Sequence, residues 1–235
     1  FKIIKMFLQV PQNSRYEIKF ISYEHNYHKI INWLKLHKLN FKKKYETRFI
    51  NNIYFDSLDY KSFKSNIFGD SSRVKLRYRW YGNLSEIKMG TFEIKYKRNL
   101  YGWKRKFKIN FDKFSDKINL KKFSKNISLN LPKREKIFFE SQSIPKIVNR
   151  YQRDYFTNYN DAIRVTLDRN HEIFDQRFVK EFNFSKTTLS QTVLVMEFKF
   201  NRQIKESIDS IMKQIPIRAS RNSKYVNSIR AVTGI

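Results

Sequence analysis

Arg73-Val74-Lys75-Leu76-Arg77-Tyr78-Arg79-Trp80 alternates cation and apolar residue without a break. Successive side chains of a strand point to opposite faces, so this stretch is a β-strand with one apolar face and one cationic face. Cations so placed stand only about 7 Å apart along the strand, close enough to repel. An extended anion lying along the row relieves that repulsion, which points to a long, phosphate-rich ligand. The pattern recurs. Arg15, Glu17 and Lys19 interleave with Tyr16, Ile18 and Phe20, and Glu93, Lys95 and Lys97 interleave with Phe92, Ile94 and Tyr96.

Working outward, strands are expected near residues 14–22, 48–56, 72–81, 91–98, 102–109, 148–157, 161–169 and 192–200. The connections around Gly82–Gly90 and Asn99–Gly102 are short, as antiparallel neighbours require. Tyr27, Ile30, Ile31, Leu34 and Leu39 recur at helical spacing over about 24–39, and Ile204, Ile208, Ile211 and Ile215 do the same before Pro216. Ser57 can cap a short helix that stops near Gly69, and Asn222-Ser223-Lys224-Tyr225 opens a closing helix. Residues 111–147 read as a Lys/Ser/Asn-rich helical insertion bounded by Pro132 and Pro145, and Lys42-Lys43-Lys44 as a solvated loop. The fold expected is α+β: a single domain over 1–235, with about eight antiparallel strands closed into a barrel tunnel. Its charged face lines the interior, amphipathic helices cover the apolar outside, and closure removes exposed edges.

Composition narrows the partners. The 235 residues include 49 Lys and Arg against 21 Asp and Glu, a formal charge of +28, which asks for a polyanion. Part of the lysine excess fits a general compositional bias toward Lys, Ile, Asn and Phe; the arginine clusters do not. There is no cysteine, which removes disulfides, thiolate metal sites and a thiol nucleophile and suits a reducing cytoplasm. No apolar run approaches the ~18 residues of a membrane span. The chain opens on Phe1 and not Met, which suggests a domain cut from a longer protein. His25, His28, His37 and His171 lack ligand spacing and suit surface or capping roles.

Several motifs stand in a telling order: Arg15-Tyr16-Glu17-Ile18-Lys19-Phe20, Ile53-Tyr54-Phe55-Asp56, Arg77-Tyr78-Arg79-Trp80-Tyr81-Gly82, Glu93-Ile94-Lys95, Lys104 with Lys106-Phe107, Tyr151-Gln152-Arg153, Arg164-Val165-Thr166-Leu167-Asp168, Glu197-Phe198-Lys199 and Ser223-Lys224-Tyr225. Together they resemble the catalytic domain of VTC-type polyphosphate polymerases, within the triphosphate tunnel (CYTH-like) superfamily, from about residue 14 to 230. The resemblance implies an eight-stranded tunnel that binds ATP, polyphosphate and a divalent cation, Mn²⁺ or Mg²⁺. It implies transfer of the ATP γ-phosphoryl group to a growing polyphosphate chain with release of ADP. Lys19, Arg77, Arg79, Lys95, Lys104, Arg153, Arg164 and Lys224 match its phosphate-contacting positions, Tyr151 and Ser223 its hydroxyl donors, and Glu197 its metal-binding carboxylate. Arg15, Arg73 and Lys75 extend the substrate-binding set by register. Arg77, Arg79, Lys95, Arg153 and Glu197 are the expected catalytic group. The chain is expected in the cytoplasm, with room for a membrane-associated partner outside it.

Phosphoryl transfer suits such a lining on chemical grounds alone. It needs in-line placement and charge stabilisation, not a protein nucleophile. Arginine offers planar paired donors, lysine a point charge, and one carboxylate beside substrate phosphates suffices for Mg²⁺ or Mn²⁺. Glu17 and Glu93 more readily orient cations than bind metal. Hydrolytic tunnel enzymes open on Glu-x-Glu-x-Lys, whereas here Arg15 takes the first position, which favours holding a polyanion over activating water. A tunnel-family triphosphatase and an inactive polyphosphate- or nucleotide-binding domain are the alternatives. A nucleic-acid-binding module fits the charge, but the cations lie inside strands and no RNA-binding signature accompanies them, so no nucleic acid is expected.

Overall fold

A computed structural model describes residues 11, 16–99, 101–111, 119–185, 192–201, 211, 214–215 and 217–234. Eight strands carry the fold: β1 (Tyr16–Tyr23), β2 (Lys42–Asp56), β3 (Ser72–Tyr81), β4 (Met89–Arg98), β5 (Tyr101–Asn110), β6 (Ile144–Thr157), β7 (Ile163–Asp175) and β8 (Val193–Phe200). They form one antiparallel sheet in the order β1-β8-β7-β6-β2-β3-β4-β5. The described helices are α1 (Tyr27–Leu36), α2 (Lys61–Ile67), α3 (Leu120–Leu129), α4 (Lys133–Glu140) and α5 (Lys224–Thr233).

Alternation sorts the sheet into two faces, as the sequence requires. The apolar residues Leu76, Tyr78 and Trp80 of β3, with Phe92 and Ile94 of β4, pack under α3 and α4 through Phe123, Ile127, Phe138 and Phe139. A second apolar cluster joins Phe20, Val165, Leu167, Met196 and Phe198 to Ile30 and Leu34 of α1. Edge-on aromatic contacts, such as Tyr78 on Phe123 at 5.2 Å and Phe92 on Phe139 at 4.9 Å, fill the first cluster. The α3 helix starts where Asn119 accepts hydrogen bonds from the Lys121 and Lys122 amides. It lies within the expected insertion with α4, and Pro132 stands at the N-cap of α4.

Closure takes a different form from the barrel expected. Among the described residues no ladder joins β1 to β5, so the sheet ends on those two strands. Their outer ends approach, with the Tyr16 and Tyr101 rings 5.7 Å apart. Farther along β1 the returning C-terminal segment takes over its free edge: Phe20 bridges Ala219, and the Ser220 amide donates to the Lys19 carbonyl at 2.9 Å. The edge is covered by that segment where a β5 partner was expected.

Two local expectations also change. Lys42-Lys43-Lys44 is not a loop but the exposed start of β2, paired with the end of β6. Pro145 lies inside β6, at an irregular step opposite Phe55, where a missing N–H is tolerated. Most of the expected helix around Ile204–Ile215 lies outside the described residues. Among the described residues no helix is long and apolar enough to cross a membrane.

Candidate functional site

The register brings the charged residues onto one face. Across β3, β4 and β5, Arg77 faces Glu93 and then Lys106, Lys75 faces Lys95 and then Lys104, and Arg73 faces Lys97. Across β7, β8 and β1, Thr166 faces Glu197 and then Lys19, while Arg164 faces Lys199 and then Glu17. On β6, Arg153 faces Asp168. The same alternation that sends Trp80 under the helices therefore turns Arg77 and Arg79 inward.

Two carboxylates each hold a pair of cations. Glu93 accepts from Arg77 through Nε at 2.7 Å and through Nη2, and from Lys104 Nζ at 2.7 Å. Asp168 accepts from Arg153 Nε at 2.5 Å and Nη2 at 2.7 Å, and from Lys224 Nζ at 2.5 Å. Burial works against the Glu93 and Asp168 carboxylates, but Arg77 and Arg153 outweigh it and hold both well below the usual range. Arg79 is held by neutral groups instead, donating from Nε to Asn52 at 2.9 Å and from Nη2 to Tyr151 at 3.2 Å. Tyr151 is buried, yet Arg153 and Arg79 overcome that burial and lower its phenol to about 8. His171 packs on the Tyr151 ring at 5.3 Å, and burial pushes it down to about 3, so it is neutral there.

A third group surrounds Glu197. Lys199 Nζ lies 2.9 Å and Lys19 Nζ 3.8 Å from its carboxylate, and Lys199 also reaches Glu17 at 3.9 Å. Burial opposes ionisation of Glu197, but Lys199, Lys19 and Lys95 keep it well below the usual range. The C-terminal segment completes the lining. Ser223 caps α5 by accepting from the Val226 amide at 3.3 Å and also accepts from Lys75 Nζ at 2.7 Å. Its own hydroxyl proton is then left for another acceptor. Lys19 donates to the Asn222 carbonyl at 3.1 Å. The segment is fixed from behind by Asp56, whose carboxylate accepts from the Ser62 and Phe63 amides of α2 and from the Tyr225 hydroxyl at 2.7 Å.

Of the residues singled out from sequence, Lys19, Lys75, Arg77, Arg79, Lys95, Lys104, Tyr151, Arg153, Glu197, Ser223 and Lys224 converge on this lining. Lys104 is inward because Arg105 turns outward to Glu135 of α4. Arg73 stands at the rim with its Nε buried and unpaired. Arg164 is exposed near Asp161 and Lys44, at the hairpin end of β7 and away from the buried clusters. Arg15 lies outside the described residues. The sequence reading passed over Asp168 and Asn52 as site residues. Asp168 stands at even spacing from Arg164 and Thr166, which was signal enough; Asn52 adjoins Asn51, and alternation alone could not choose between them. His37 matches its expected capping role, accepting from the Leu39 amide at 3.2 Å.

No curated protein matches this chain by sequence. Among solved structures, a Hippeastrum protein described as having a dominant triphosphatase activity aligns with a TM-score of 0.51 and 14% identity, over 92% of this chain and 95% of that one. A chain of the Schizosaccharomyces pombe Mediator head module aligns with a TM-score of 0.52 and 6% identity, over 88% and 97%. Identities this low speak to a shared fold alone. The sequence matches the VTC domain family over residues 14–233, and the chain belongs to that family.

Proposed function

We propose that this domain is an ATP-dependent polyphosphate polymerase, which transfers the γ-phosphoryl group of ATP to the terminal phosphate of a polyphosphate chain and releases ADP. One observation carries the reading. Arg77, Arg79 and Arg153 are each only 7% exposed on a single lining whose cations outnumber its carboxylates. Glu93 and Asp168 take one edge of Arg77 and Arg153, Nε with Nη2, and leave the other edge to a ligand. Cations held in this way need no reorganisation when charge develops on the equatorial oxygens.

An oxygen of the acceptor's terminal phosphate forms the new bond to the γ-phosphorus. The bond from that phosphorus to the β-bridging oxygen breaks, and ADP leaves with the electron pair. A dianionic terminal phosphate needs no proton removed, so the lining requires no general base. Arg77, Arg79, Arg153 and Lys95 would stabilise the transferring group, while Lys19, Lys75, Lys104, Lys224, Tyr151 and Ser223 position donor and acceptor. The buried, ionised carboxylate of Glu197 fits Mn²⁺ or Mg²⁺ completed by phosphate oxygens, and such a cation would neutralise charge between donor and acceptor.

Incubation with ATP, Mn²⁺ and a short polyphosphate primer tests the reading. ADP with lengthening polyphosphate is expected. ADP matched by free orthophosphate would make the domain a triphosphatase, and binding without ADP would make it a polyphosphate-holding module.

A further inference from the structure

The two ends of the lining differ in chemistry. At the start of β3, Arg73 and Lys97 face each other across the sheet. At its other end the lining runs out into tyrosines. Tyr81 stands in register with Ile50, and Ile50 with Tyr151, so Tyr81 is on the rim just beyond the buried cations. Tyr45 and Tyr155, on the projecting ends of β2 and β6, meet edge to face at 5.6 Å. Tyr45 and Tyr81 are 49% and 47% exposed, so part of each ring is open to a ligand. The Arg48 guanidinium lies 5.0 Å from the Tyr45 ring, and Arg153 lies 5.9 Å from Tyr155 and 5.3 Å from Tyr151. Arg153 thus links the tyrosine rim to the phosphate-ready interior.

We infer that Tyr45, Tyr81 and Tyr155 with Arg48 form the nucleoside subsite, where the base of the donor nucleotide stacks while its triphosphate runs inward to Arg153 and Arg79. The inference rests on ATP being the donor. Tyrosine rings and a guanidinium offer flat faces to any base, whereas Arg73 and Lys97 at the opposite rim offer charge alone. A ligand with a flat neutral end and an anionic tail has one favourable orientation between them.

Calorimetric titration with the β,γ-imido analogue of ATP and, separately, with tripolyphosphate tests this without turnover. Replacing both half-exposed rings, Tyr45→Ser with Tyr81→Ser, is expected to weaken the ATP analogue about tenfold or more. Tripolyphosphate, which has no base, should change by less than about twofold, which also reports an intact fold. Tyr45→Phe with Tyr81→Phe keeps both rings and should restore the nucleotide's affinity. Equal weakening of both ligands, or no weakening of either, overturns the subsite and leaves the polymerase reading standing. Failure of the wild-type domain to bind either triphosphate overturns both.

Discussion

Arg77 and Lys95 belong to the same lining, on neighbouring strands, and are held in opposite ways. Burial disfavours the Arg77 guanidinium, but the Glu93 carboxylate more than compensates and raises its pKa; Asp168 does the same for Arg153. Glu17 pulls Lys95 upward, yet burial and Arg77 outweigh it and the ammonium falls to about 8. Lys75 is likewise held well below its ordinary value, by burial first and then by Lys19 and Lys95. Lys104 marks the boundary: it shares Glu93, but burial and the Arg77 already on that carboxylate leave it at about 8. One set of cations is a fixed scaffold, charged at any working pH. The other is crowded and short of counter-charge, and a polyanion supplies what it lacks. The lining is therefore organised for its ligand and partly destabilised without it.

Removing the scaffold's counter-charge should have the largest effect. Glu93→Gln keeps the shape but leaves the buried Arg77 without its counter-charge, which costs about 3–5 kcal/mol. Urea denaturation of the unliganded domain measures it. Loss below about 1 kcal/mol would mean that water already reaches Arg77 and that the contrast between the two sets is overstated.

Next comes Arg79, held by the neutral Asn52 and Tyr151. Its loss strands no buried carboxylate, so Arg79→Ala should lower the urea midpoint less than Glu93→Gln does. Polymer synthesis should fall by about 10²–10³-fold, the usual consequence of deleting one preorganised donor to a charged transition state. A variant that synthesises at the normal rate would place Arg79 in the scaffold and outside the reaction.

The contrast explains what the sequence could and could not say. Which residues turn inward was legible, because Arg73-Val74-Lys75-Leu76-Arg77-Tyr78-Arg79-Trp80 leaves a strand no other choice of faces, and the helices needed to cover Leu76 and Trp80 were visible in their own periodicity. Which cation pairs with which carboxylate was not. Arg153 and Asp168 are brought opposite each other only by the β6–β7 register, and an irregular step between Arg150 and Gln152 shifts that register. The covering of β1 by residues 219–220 was equally hidden, because no local pattern in that segment marks a strand. Lys42-Lys43-Lys44 misled for a physical reason: β2 runs past its β3 neighbour, so its first half is solvated on both faces and carries no alternation to detect.

The smallest effect is the most diagnostic of the crowded set. Lys95 releases its proton near pH 8 in the folded, unliganded domain and near 10.5 in the unfolded chain. Between those values the unfolded chain binds more protons, so stability of the unliganded domain rises with pH across that window. Lys104 and Tyr151, both lowered to about 8, act with the same sign. Partial solvent access to Lys95 limits its share to about 1–2 kcal/mol. Tripolyphosphate reverses the trend: its oxygens favour the charged lysines, so binding takes up protons above pH 8 and affinity falls as pH rises. Thermal melting from about pH 7 to 9.5, with and without tripolyphosphate at constant ionic strength, should give slopes of opposite sign, and Lys95→Met should flatten both while raising the unliganded midpoint at neutral pH. Parallel slopes would mean that Glu17 and Glu197 already neutralise Lys95, and the ligand would then be answering no shortage of charge.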